Sequence, residues 1–454
     1  MKKHNHISRR KFLKGLGIAS AVPFTSSMAE AAELDFDSIS FDAGKYQDNE
    51  AQTILIYLYG GPSELAGNMS NIEEISKRSQ NPYPLGKNSS SITLTKDNFW
   101  AQAGGEAMQR MLDAGDMNIF RNCYRTVDGS KAHGTCTGQA QRGIANIDES
   151  GMISKIASIL LNKGVLSEPK ASDAAGKSIP FVTMEGESSF FFESGEKIAP
   201  FLKPAAFGGS SYNPYERRGG YENSKLNDKG ETFGVFFDRL SKRINRQGKI
   251  QEAFEKRKLL EGLTNDVKSA KLPEGIEYPK NNTFASRLEM AMKLLEMNSD
   301  TKIISIGSPG LGGWDDHSNA IVKYSERMTK LMSSIEVAME HMKQIGRDNI
   351  NIVVLGEFGR NVNYNNSLGW DHGNLQNIYW FGGSRYFNNL GVSGQTEVYG
   401  GNGRVYQRPK GFKTENEAYN FQIFSVAATI YNIYGITNPE VLTGGNEPIQ
   451  GLLS

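Results

Sequence analysis

A strand, a long helix and a second strand follow one another directly between Thr301 and Leu355. The strands are the apolar runs Thr301 to Ile306 and Asn351 to Leu355, which suit strands buried on both faces. The helix between them, from about Ser318 to Gln344, repeats apolar residues at helical spacing. Because a crossover helix joins strands that run in the same direction, this unit predicts an α/β fold built on a parallel sheet.

The same alternation extends over the rest of the chain. Further strands are predicted at Thr53 to Tyr59, Met117 to Phe120, Ile179 to Met184 and Ile378 to Phe381. Helices are predicted within about 231–298 and at Ala418 to Tyr434. Together these elements predict an α/β fold whose mostly parallel sheet is flanked by helices on both faces.

Loop-rich segments frame the predicted sheet. Segments 60–110 and 185–230 are long and rich in Gly, Ser and Asn, and we expect these long loops to form a cap over one end of the sheet. Residues 32–50 are polar and predict an exposed lead-in. No convincing linker divides residues 51–454, so we expect them to form a single large domain.

The first 31 residues have the features of an export signal. They carry six Lys or Arg residues, and Ser8-Arg9-Arg10-Lys11-Phe12-Leu13-Lys14 matches the twin-arginine pattern. A mildly apolar stretch and the small-x-small sequence Ala29-Glu30-Ala31 follow. Residues 1–31 are therefore predicted to be a signal peptide that engages the twin-arginine translocase and directs the protein to a bacterial periplasm. The alternative is a basic tail before a short helix.

Charge and composition exclude several classes of protein. The chain has 51 basic and 50 acidic residues, and removing residues 1–31 leaves 45 and 49, so we expect no nucleic-acid partner. No apolar run reaches the roughly 18 residues of a spanning helix, so no stable membrane span is expected. Cys123 and Cys136 are too few for a cysteine-built zinc module. They can pair in an oxidising compartment or remain two unpaired buried thiols.

Four glycine-flanked loops follow predicted strands and carry the unusual polar residues of the chain. They are Lys131-Ala132-His133-Gly134, Gly312-Gly313-Trp314-Asp315-Asp316-His317, Gly356-Glu357-Phe358-Gly359-Arg360 and Gly369-Trp370-Asp371-His372-Gly373. In open α/β sheets, ligands bind beyond the carboxyl ends of the strands. These loops therefore predict one functional site at that edge of the sheet.

Asp and His side chains in these loops point to divalent-metal chemistry. Carboxylate oxygen and imidazole nitrogen suit zinc, manganese, iron or calcium. The candidate metal ligands are Asp315, His317, Asp371, His372 and His133. In an extended segment Asp315 and His317 project to the same side, and the adjacent Asp371 and His372 can serve two neighbouring ions. Glu357 is a candidate ligand or general base, and Arg360 a candidate clamp for an anionic substrate.

Each of these residues also has a purely structural interpretation. Asp316 or Ser318 can be the N-cap of the long helix, and position favours the cap for Asp316. Glu357 and Arg360 can form a buried ion pair, and His133 can be a hydrogen-bonded loop histidine. His341 lies beside the apolar stripe of the long helix and is expected at the surface. Trp314 and Trp370 are expected to pack into the core.

The order of these motifs resembles a known family. The twin-arginine leader, Leu58-Tyr59-Gly60-Gly61, the Asp315, Glu357 and Asp371 loops and their flanking glycines occur in the same order in the exported bacterial family called domain of unknown function 1501. That family is similar to the alkaline phosphatase and sulfatase superfamily. The resemblance runs from about Thr53 to Leu452. It implies an alkaline phosphatase-like α/β sandwich with a binuclear metal centre that hydrolyses phosphate or sulfate esters, with a small anionic ester as substrate.

By position, the resemblance assigns Asp315, His317, Glu357, Asp371 and His372 to the metal site and matches His133 to an upstream histidine of the family. The family usually carries an Asp directly after the first Gly-Gly, but this chain reads Gly60-Gly61-Pro62-Ser63-Glu64. Either Glu64 substitutes for this Asp, or Ser63 is used in its place, or the site is incomplete. Ser63 is a candidate catalytic residue.

Two function hypotheses follow. The first is an exported metal-dependent hydrolase of phosphate or sulfate esters. The second is a non-catalytic binding or assembly protein on a degenerate hydrolase scaffold, which the missing Asp favours. If the predicted ligands converge in one place, a functional site is favoured over the purely structural interpretation of each residue.

Overall fold

The structure is a computed structural model that describes residues 34–62, 71–85, 92–124, 130–166, 180–184, 191, 205–206, 239, 266–308, 310–401, 403–409 and 421–454. The predicted signal peptide, Ser63, Glu64 and nearly all of segment 185–230 lie outside the described residues. None of the helices in the described ranges combines the length and the apolar character needed to span a bilayer.

Strands in the described residues form one large sheet and two small ones. In chain order they are β1 (Gln52–Leu58), β2 (Met117–Tyr124), β3 (Phe181–Thr183), β4 (Ala205–Ala206), β5 (Ile303–Ile306), β6 (Ile350–Gly356), β7 (Arg360–Tyr364), β8 (Trp370–His372), β9 (Leu375–Gly382), β10 (Val392–Ser393), β11 (Thr396–Gly401), β12 (Arg404–Pro409) and β13 (Phe421–Gln422). The order in the large sheet is β10-β2-β9-β6-β1-β5-β3-β4, and β13 pairs with β2. The small sheets are the hairpins β7–β8 and β11–β12.

Pairing in the large sheet is parallel except along β9. The central strand β1 pairs in parallel with β5 and β6, whereas β9 runs antiparallel to both β6 and β2. All seven residues of β1 are buried, as its continuous apolar run predicts. The mostly parallel sheet expected from the strand–helix–strand unit is confirmed, and β9 is an antiparallel strand that the sequence pattern did not reveal.

Helices in the described residues lie between these strands. They are α1 (Ala43–Asn49), α2 (Ile72–Arg78), α3 (Gly105–Asp113), α4 (His133–Arg142), α5 (Met152–Asn162), α6 (Thr283–Met297), α7 (Ala320–Gln344) and α8 (Phe424–Ile433), with two short 3-10 turns at Ala101–Ala103 and Pro439–Leu442. The crossover helix α7 follows the predicted range closely. The closing helix α8 begins later than predicted, because Phe421 and Gln422 extend the sheet beside β2.

Helices cover both faces of the sheet, as the fold class predicts. Side chains of β1 alternate between the faces. Ile54, Ile56 and Leu58 belong to the hydrophobic cluster that includes α3, α6 and α7. Leu55 and Tyr57 belong to the cluster that includes α5 and α8. The core therefore consists of two apolar layers, one on each side of the sheet.

The polar lead-in and the segment that was expected to form part of a cap both contain packed structure, although most residues of 34–50 are exposed, as predicted. In 34–50, Ile39 is buried, and the Asp42 amide donates to the Gly435 carbonyl at 2.8 Å, so this lead-in is held against the end of α8. Where 60–110 is described, it contains α2 and the first part of α3, and Met108 of α3 is buried in the core. The short amphipathic helices in these segments were not predicted, because the segments are polar and rich in glycine.

Candidate metal centre

The loop after β5 reaches the candidate centre by passing directly beneath the end of β1. The Trp314 amide donates to the Tyr59 carbonyl at 2.8 Å, which places Asp315 next to Gly60. Gly60 has φ +107°, and a Cβ there would lie 2.5 Å from the Asp315 nitrogen. Only glycine fits this conformation and this approach. A glycine directly after β1 therefore allows the Asp315 loop to pack against the end of the strand.

Hairpin β7–β8 carries the second pair of candidate ligands to the same place. The Trp370 amide donates to the Asp316 carbonyl at 2.8 Å. A Cβ on Gly369 would lie 2.0 Å from the His317 carbonyl carbon, so the two loops are in backbone contact. This contact sets Asp371 and His372 beside the Asp315 loop, although 54 residues separate His317 from Asp371.

Three predicted histidine ligands converge on the carboxylate of the fourth, Asp315. Its Oδ1 lies 2.9 Å from Nε2 of His317 and 3.5 Å from Nε2 of His372, and its Oδ2 lies 3.6 Å from Nε2 of His133. The Nε2 atoms of His317 and His372 are 3.2 Å apart. Donor atoms of His133, Asp315 and His372 all lie within 4.8 Å of one another. The side chains of Asp315 and His317 are 43% and 46% exposed, so solvent and a small ligand reach this cluster.

Each of the three imidazoles holds its other ring nitrogen against an oxygen acceptor. His372 Nδ1 lies 2.9 Å from the Lys131 carbonyl oxygen, and His317 Nδ1 lies 3.2 Å from Asp371 Oδ1. His133 Nδ1 lies 2.5 Å from Glu357 Oε1. An acceptor at Nδ1 places the proton of a neutral imidazole there and leaves the lone pair on Nε2. With Nδ1 protonated in this way, all three rings would direct an Nε2 lone pair at the Asp315 carboxylate.

This donor set fits a divalent cation. Inward lone pairs and a carboxylate repel one another unless positive charge lies between them, and imidazoles fixed by outer oxygen acceptors are the usual arrangement around protein-bound metals. Burial lowers the pKa of His372, and the charge of Arg360 acts in the same direction, which favours the neutral, ligating form. Burial opposes ionisation of Asp315, but the hydrogen bond and charge of Arg360, together with His317 and His133, lower the pKa of that carboxyl. Nitrogen and oxygen donors suit zinc, manganese or iron.

Glu357 lies behind the centre and is fully buried. Its Oε1 accepts from the Gly60 amide at 2.9 Å as well as facing His133, and its Oε2 accepts from the Thr137 hydroxyl. The Tyr57 hydroxyl lies 3.5 Å from the same Oε2, and burial followed by the Glu357 charge raises the pKa of Tyr57 well above its ordinary value. Glu357 thus connects β1, β6 and α4 and orients His133.

Arg360 is also buried, and its guanidinium is directed at the loops rather than at solvent. Its Nε donates to the Gly61 carbonyl at 2.8 Å and its Nη1 to the Trp370 carbonyl at 3.1 Å. Its Nη2 donates to the Gly60 carbonyl and, at 2.6 Å, to Asp315 Oδ1. The buried ion pair considered for Glu357 and Arg360 is wrong, because the carboxylate partner of Arg360 is Asp315.

Asp316 and Ser318 do not cap the long helix. Asp316 is buried and accepts two hydrogen bonds from Nη1 of Arg327, at 2.8 and 3.0 Å. Burial raises the pKa of Asp316, and Arg327 partly offsets this. The N-cap of α7 is Asn319, whose side chain makes no capping bond. The predicted cap is wrong because the loop turns Asp316 inward, where Arg327, two turns into the helix after its start, satisfies the carboxylate.

His341 is buried, not at the surface as expected. Its Nδ1 lies 3.2 Å from the Tyr278 hydroxyl and its Nε2 lies 3.4 Å from Glu296 Oε2. Segment 271–282 and helix α6 cover this side of α7, and the helical spacing of α7 alone did not reveal that cover. Trp314 and Trp370 are fully buried, which confirms their expected place in the core.

The remaining predicted residues divide into three groups. Asp371 contacts the outer nitrogen of His317 and accepts from the Asn365 amide group at 3.2 Å. Cys123 and Cys136 are buried and unbridged, which confirms the unpaired alternative. Ser63 lies outside the described residues.

Three contributors to the centre escaped the sequence analysis. Thr137 follows His133 by one helical turn, and this spacing on one face of α4 is a usable signal. Phe358 places its ring 5.1 Å from that of His133 and 4.6 Å from that of His372, between the two strand-end loops. Lys131 contributes its backbone carbonyl, and no pattern of side chains reveals a backbone acceptor.

Comparison with known proteins agrees with the motifs over part of the chain. A family model described as "Protein of unknown function (DUF1501)" matches residues 237–408, which confirms the resemblance across the Asp315, Glu357 and Asp371 loops. No curated protein matches the chain.

Two solved structures are similar in outline. The lipoteichoic acid synthase LtaP from Listeria monocytogenes is 9% identical with a TM-score of 0.33, over 92% of this chain and 79% of that one. The phosphonate monoester hydrolase SpPMH from Silicibacter pomeroyi is 11% identical with a TM-score of 0.31, over 88% and 77%. Similarity at this level carries no argument about activity.

Proposed function

We propose that this protein is a hydrolase of phosphate or sulfate esters that depends on a divalent metal. The proposal rests on one observation: Nε2 atoms of His133, His317 and His372 surround the carboxylate of Asp315 at the carboxyl edge of the sheet, between 2.9 and 3.6 Å from its oxygens. That edge is where α/β sheets place their ligands. The motif order of the chain, which resembles a family similar to the alkaline phosphatase and sulfatase superfamily, supplies the reaction class.

His133, Asp315, His317 and His372 would hold the metal, and Asp371 would support it through Nδ1 of His317. A divalent ion at these donors would polarise an ester oxygen and make a water molecule more acidic. Asp315 remains ionised because Arg360 donates to it, and Glu357 keeps the proton of His133 on Nδ1. Water adds to phosphorus or sulfur, the bond to the ester oxygen breaks, and the departing oxygen takes a proton from solvent. An alcohol and inorganic phosphate or sulfate leave.

Convergence of the predicted ligands supports this function over the non-catalytic alternative. A retained scaffold without chemistry has no need of three imidazoles whose outer nitrogens are each fixed by an acceptor. The half-exposed side chains of Asp315 and His317 also leave the centre accessible to a small anionic ester. Ser63 stays a candidate catalytic residue of the loop after β1.

Metal analysis and turnover of the purified protein test the proposal. We expect near-stoichiometric zinc, manganese or iron, and hydrolysis of 4-nitrophenyl phosphate or 4-nitrophenyl sulfate that a chelator abolishes and added metal restores. His372→Ala should lose both the metal and the turnover. A folded protein that binds no zinc, manganese, iron or calcium would overturn the proposal.

We further propose that the protein acts in a bacterial periplasm after export by the twin-arginine translocase. The order of Arg9, Arg10 and the small-x-small sequence at Ala29-Glu30-Ala31 supports this. Fusing residues 1–31 to a reporter that is active only after folded export tests it. Changing Arg9 and Arg10 together to Lys should retain the reporter in the cytoplasm.

A further inference from the structure

Lys131 contacts the candidate centre through both its backbone and its side chain. Its carbonyl oxygen lies 2.9 Å from Nδ1 of His372. Its Nζ lies 3.5 Å from the carbonyl oxygen of the same histidine. The backbone and the side chain of Lys131 thus both contact His372, one of the proposed metal ligands, and the lysine is exposed.

The substrate of the proposed reaction carries negative charge, and the centre needs a cation that can reach it. Asp315, Glu357 and Asp371 are acidic, and Arg360 is the basic residue among the loops that hold them. The guanidinium of Arg360 is fully buried and already donates to three carbonyl oxygens and to Asp315. These contacts hold its donors inside the protein, so Arg360 cannot bind the anionic substrate as the sequence analysis expected. A different residue must do so.

Other cations near the centre are held more firmly than Lys131. Arg327 is committed to Asp316 through two hydrogen bonds. Nζ of Lys323 donates to the Ser318 carbonyl at 3.0 Å and lies 3.5 Å from the Ser318 hydroxyl. Within the described ranges, Nζ of Lys131 has one acceptor, and its distance of 3.5 Å is at the limit of a hydrogen bond. An ammonium on a flexible four-carbon stem then has donors left for a ligand.

We propose that Lys131 binds the tetrahedral oxyanion of the substrate, the phosphate or sulfate group, at the metal centre. This inference rests on the proposed function for the choice of anion and on the contacts of His372 for the place. Lys131 is a binding residue. It places a positive charge beside a centre whose other charged side chains are mostly acidic. The lysine supplies one positive charge and hydrogen-bond donors, while its carbonyl fixes the proton on His372.

Binding of inorganic phosphate, measured by isothermal titration calorimetry on the metal-loaded and the metal-free full chain, tests the proposal. Lys131→Gln keeps the backbone carbonyl and removes the charge, and we expect it to weaken phosphate binding by at least about tenfold, since a charged hydrogen bond is lost. Lys131→Arg should stay within about threefold of the wild type, because the charge remains. Lys330→Gln, an exposed lysine on α7, is the matched control for net charge and should change nothing.

Metal content of each variant is measured in parallel and should equal that of the wild type, because the His372 contact to the backbone is retained. Equal phosphate affinity in the wild type and Lys131→Gln would overturn the inference, as would a wild type that binds no phosphate in either state. Phosphate binding that depends on Lys131 in a protein that hydrolyses neither nitrophenyl ester would instead overturn the proposed hydrolysis and leave the anion site standing. If turnover is present, Lys131→Gln should raise KM more than it lowers kcat.

Discussion

The Nε2 atoms of His317 and His372 face each other at 3.2 Å, and the Nδ1 atom of each ring lies against an oxygen. Two neutral imidazoles in this arrangement bring two lone pairs together, which is unfavourable by itself. Asp315 Oδ1 lies 2.9 Å from one of these nitrogens and 3.5 Å from the other, which adds a negative charge to the same place. A cation between the three groups removes the repulsion and uses all three donors.

Removing either imidazole should therefore remove the metal. His317→Ala and His372→Ala each delete one donor from the cluster around Asp315. We expect the dissociation constant for zinc or manganese to rise by at least about 100-fold in each variant, because a bound metal loses one of its few protein ligands. Inductively coupled plasma mass spectrometry after dialysis and competition with a chromogenic chelator provide the measurement.

His341→Gln is the control for these two substitutions, since His341 lies in contact with Tyr278 and Glu296 rather than with Asp315. Its folded fraction should retain the full metal content. Normal metal content in folded His317→Ala and His372→Ala would reject the ligand assignment.

Glu357→Gln should weaken the metal site without removing a direct donor. The carboxylate faces His133 Nδ1 at 2.5 Å and also accepts from the Gly60 amide and the Thr137 hydroxyl. An amide in its place loses the negative charge that orients His133, and we expect metal affinity to fall by about 10- to 100-fold. Titration of the metal-free variant by calorimetry measures the change. Glu74→Gln, an exposed carboxylate on α2, should behave like the wild type, and unchanged affinity in Glu357→Gln would show that Glu357 does not support the site.

The sheet could be predicted from the sequence because burial on both faces leaves a continuous apolar run. Runs such as Thr53 to Tyr59 leave little choice but a central parallel strand, and the helical spacing of α7 marks the crossover. Strand β9 was located but its direction was not, because an apolar run does not encode the direction of its neighbours. The contacts that residues 34–50 make with Gly435 and Asn438 were not predicted, because these partners lie almost 400 positions away along the chain.

The candidate ligands could be predicted because Asp and His recur in glycine-flanked loops after predicted strands, where α/β sheets bind ligands, but the contacts of these residues could not. Asp316 and Asp315 are neighbours of the same type, yet one pairs with Arg327 inside the protein and the other faces three imidazoles. The pairing of Arg360 with Asp315 rather than with Glu357 depends on how β1, β5 and β6 align at their ends. Such choices are made by packing between distant segments, which spacing along the chain does not contain.

Gly369→Ala should disrupt the contact between the two ligand loops. A Cβ at this position would lie 2.0 Å from the His317 carbonyl carbon and 2.2 Å from its oxygen, and both are backbone atoms that cannot rotate away. We expect the variant to lose at least about 2 kcal/mol of unfolding free energy, as overpacked positions do, and to bind metal more weakly because His317 is displaced. Denaturant unfolding and metal titration measure the two effects. Gly134→Ala on α4, whose added Cβ has no atom within 4 Å, is the matched control and should be neutral or slightly stabilising; equal stability of the two variants would contradict the close contact.

Buried His341 should make the stability of the protein fall in mild acid. Burial lowers the pKa of His341 below 6.5, against the opposing effect of Glu296; Lys293 lowers it further, and Glu289 also acts on this group, while Tyr278 contacts the ring. A group whose pKa is lower in the folded state stabilises the protein fully above its unfolded pKa. Below about pH 6.5 the unfolded chain binds a proton that the folded chain does not, so this stabilisation is lost as the pH falls toward the folded pKa. One such group changes the unfolding free energy by at most about 1.4 kcal/mol per pH unit.

His341→Gln removes the titration and keeps polar atoms near Tyr278. Urea unfolding of the metal-free wild type and of this variant between pH 7.5 and pH 5 measures the difference in slope. Working without metal removes metal release as a linked event, and the histidines around Asp315 are common to both proteins and cancel in the difference. We expect the wild type to lose more free energy of unfolding over this range than the variant. Identical slopes would mean that His341 binds its proton equally well in the folded and unfolded chains, which its burial between α6 and α7 argues against.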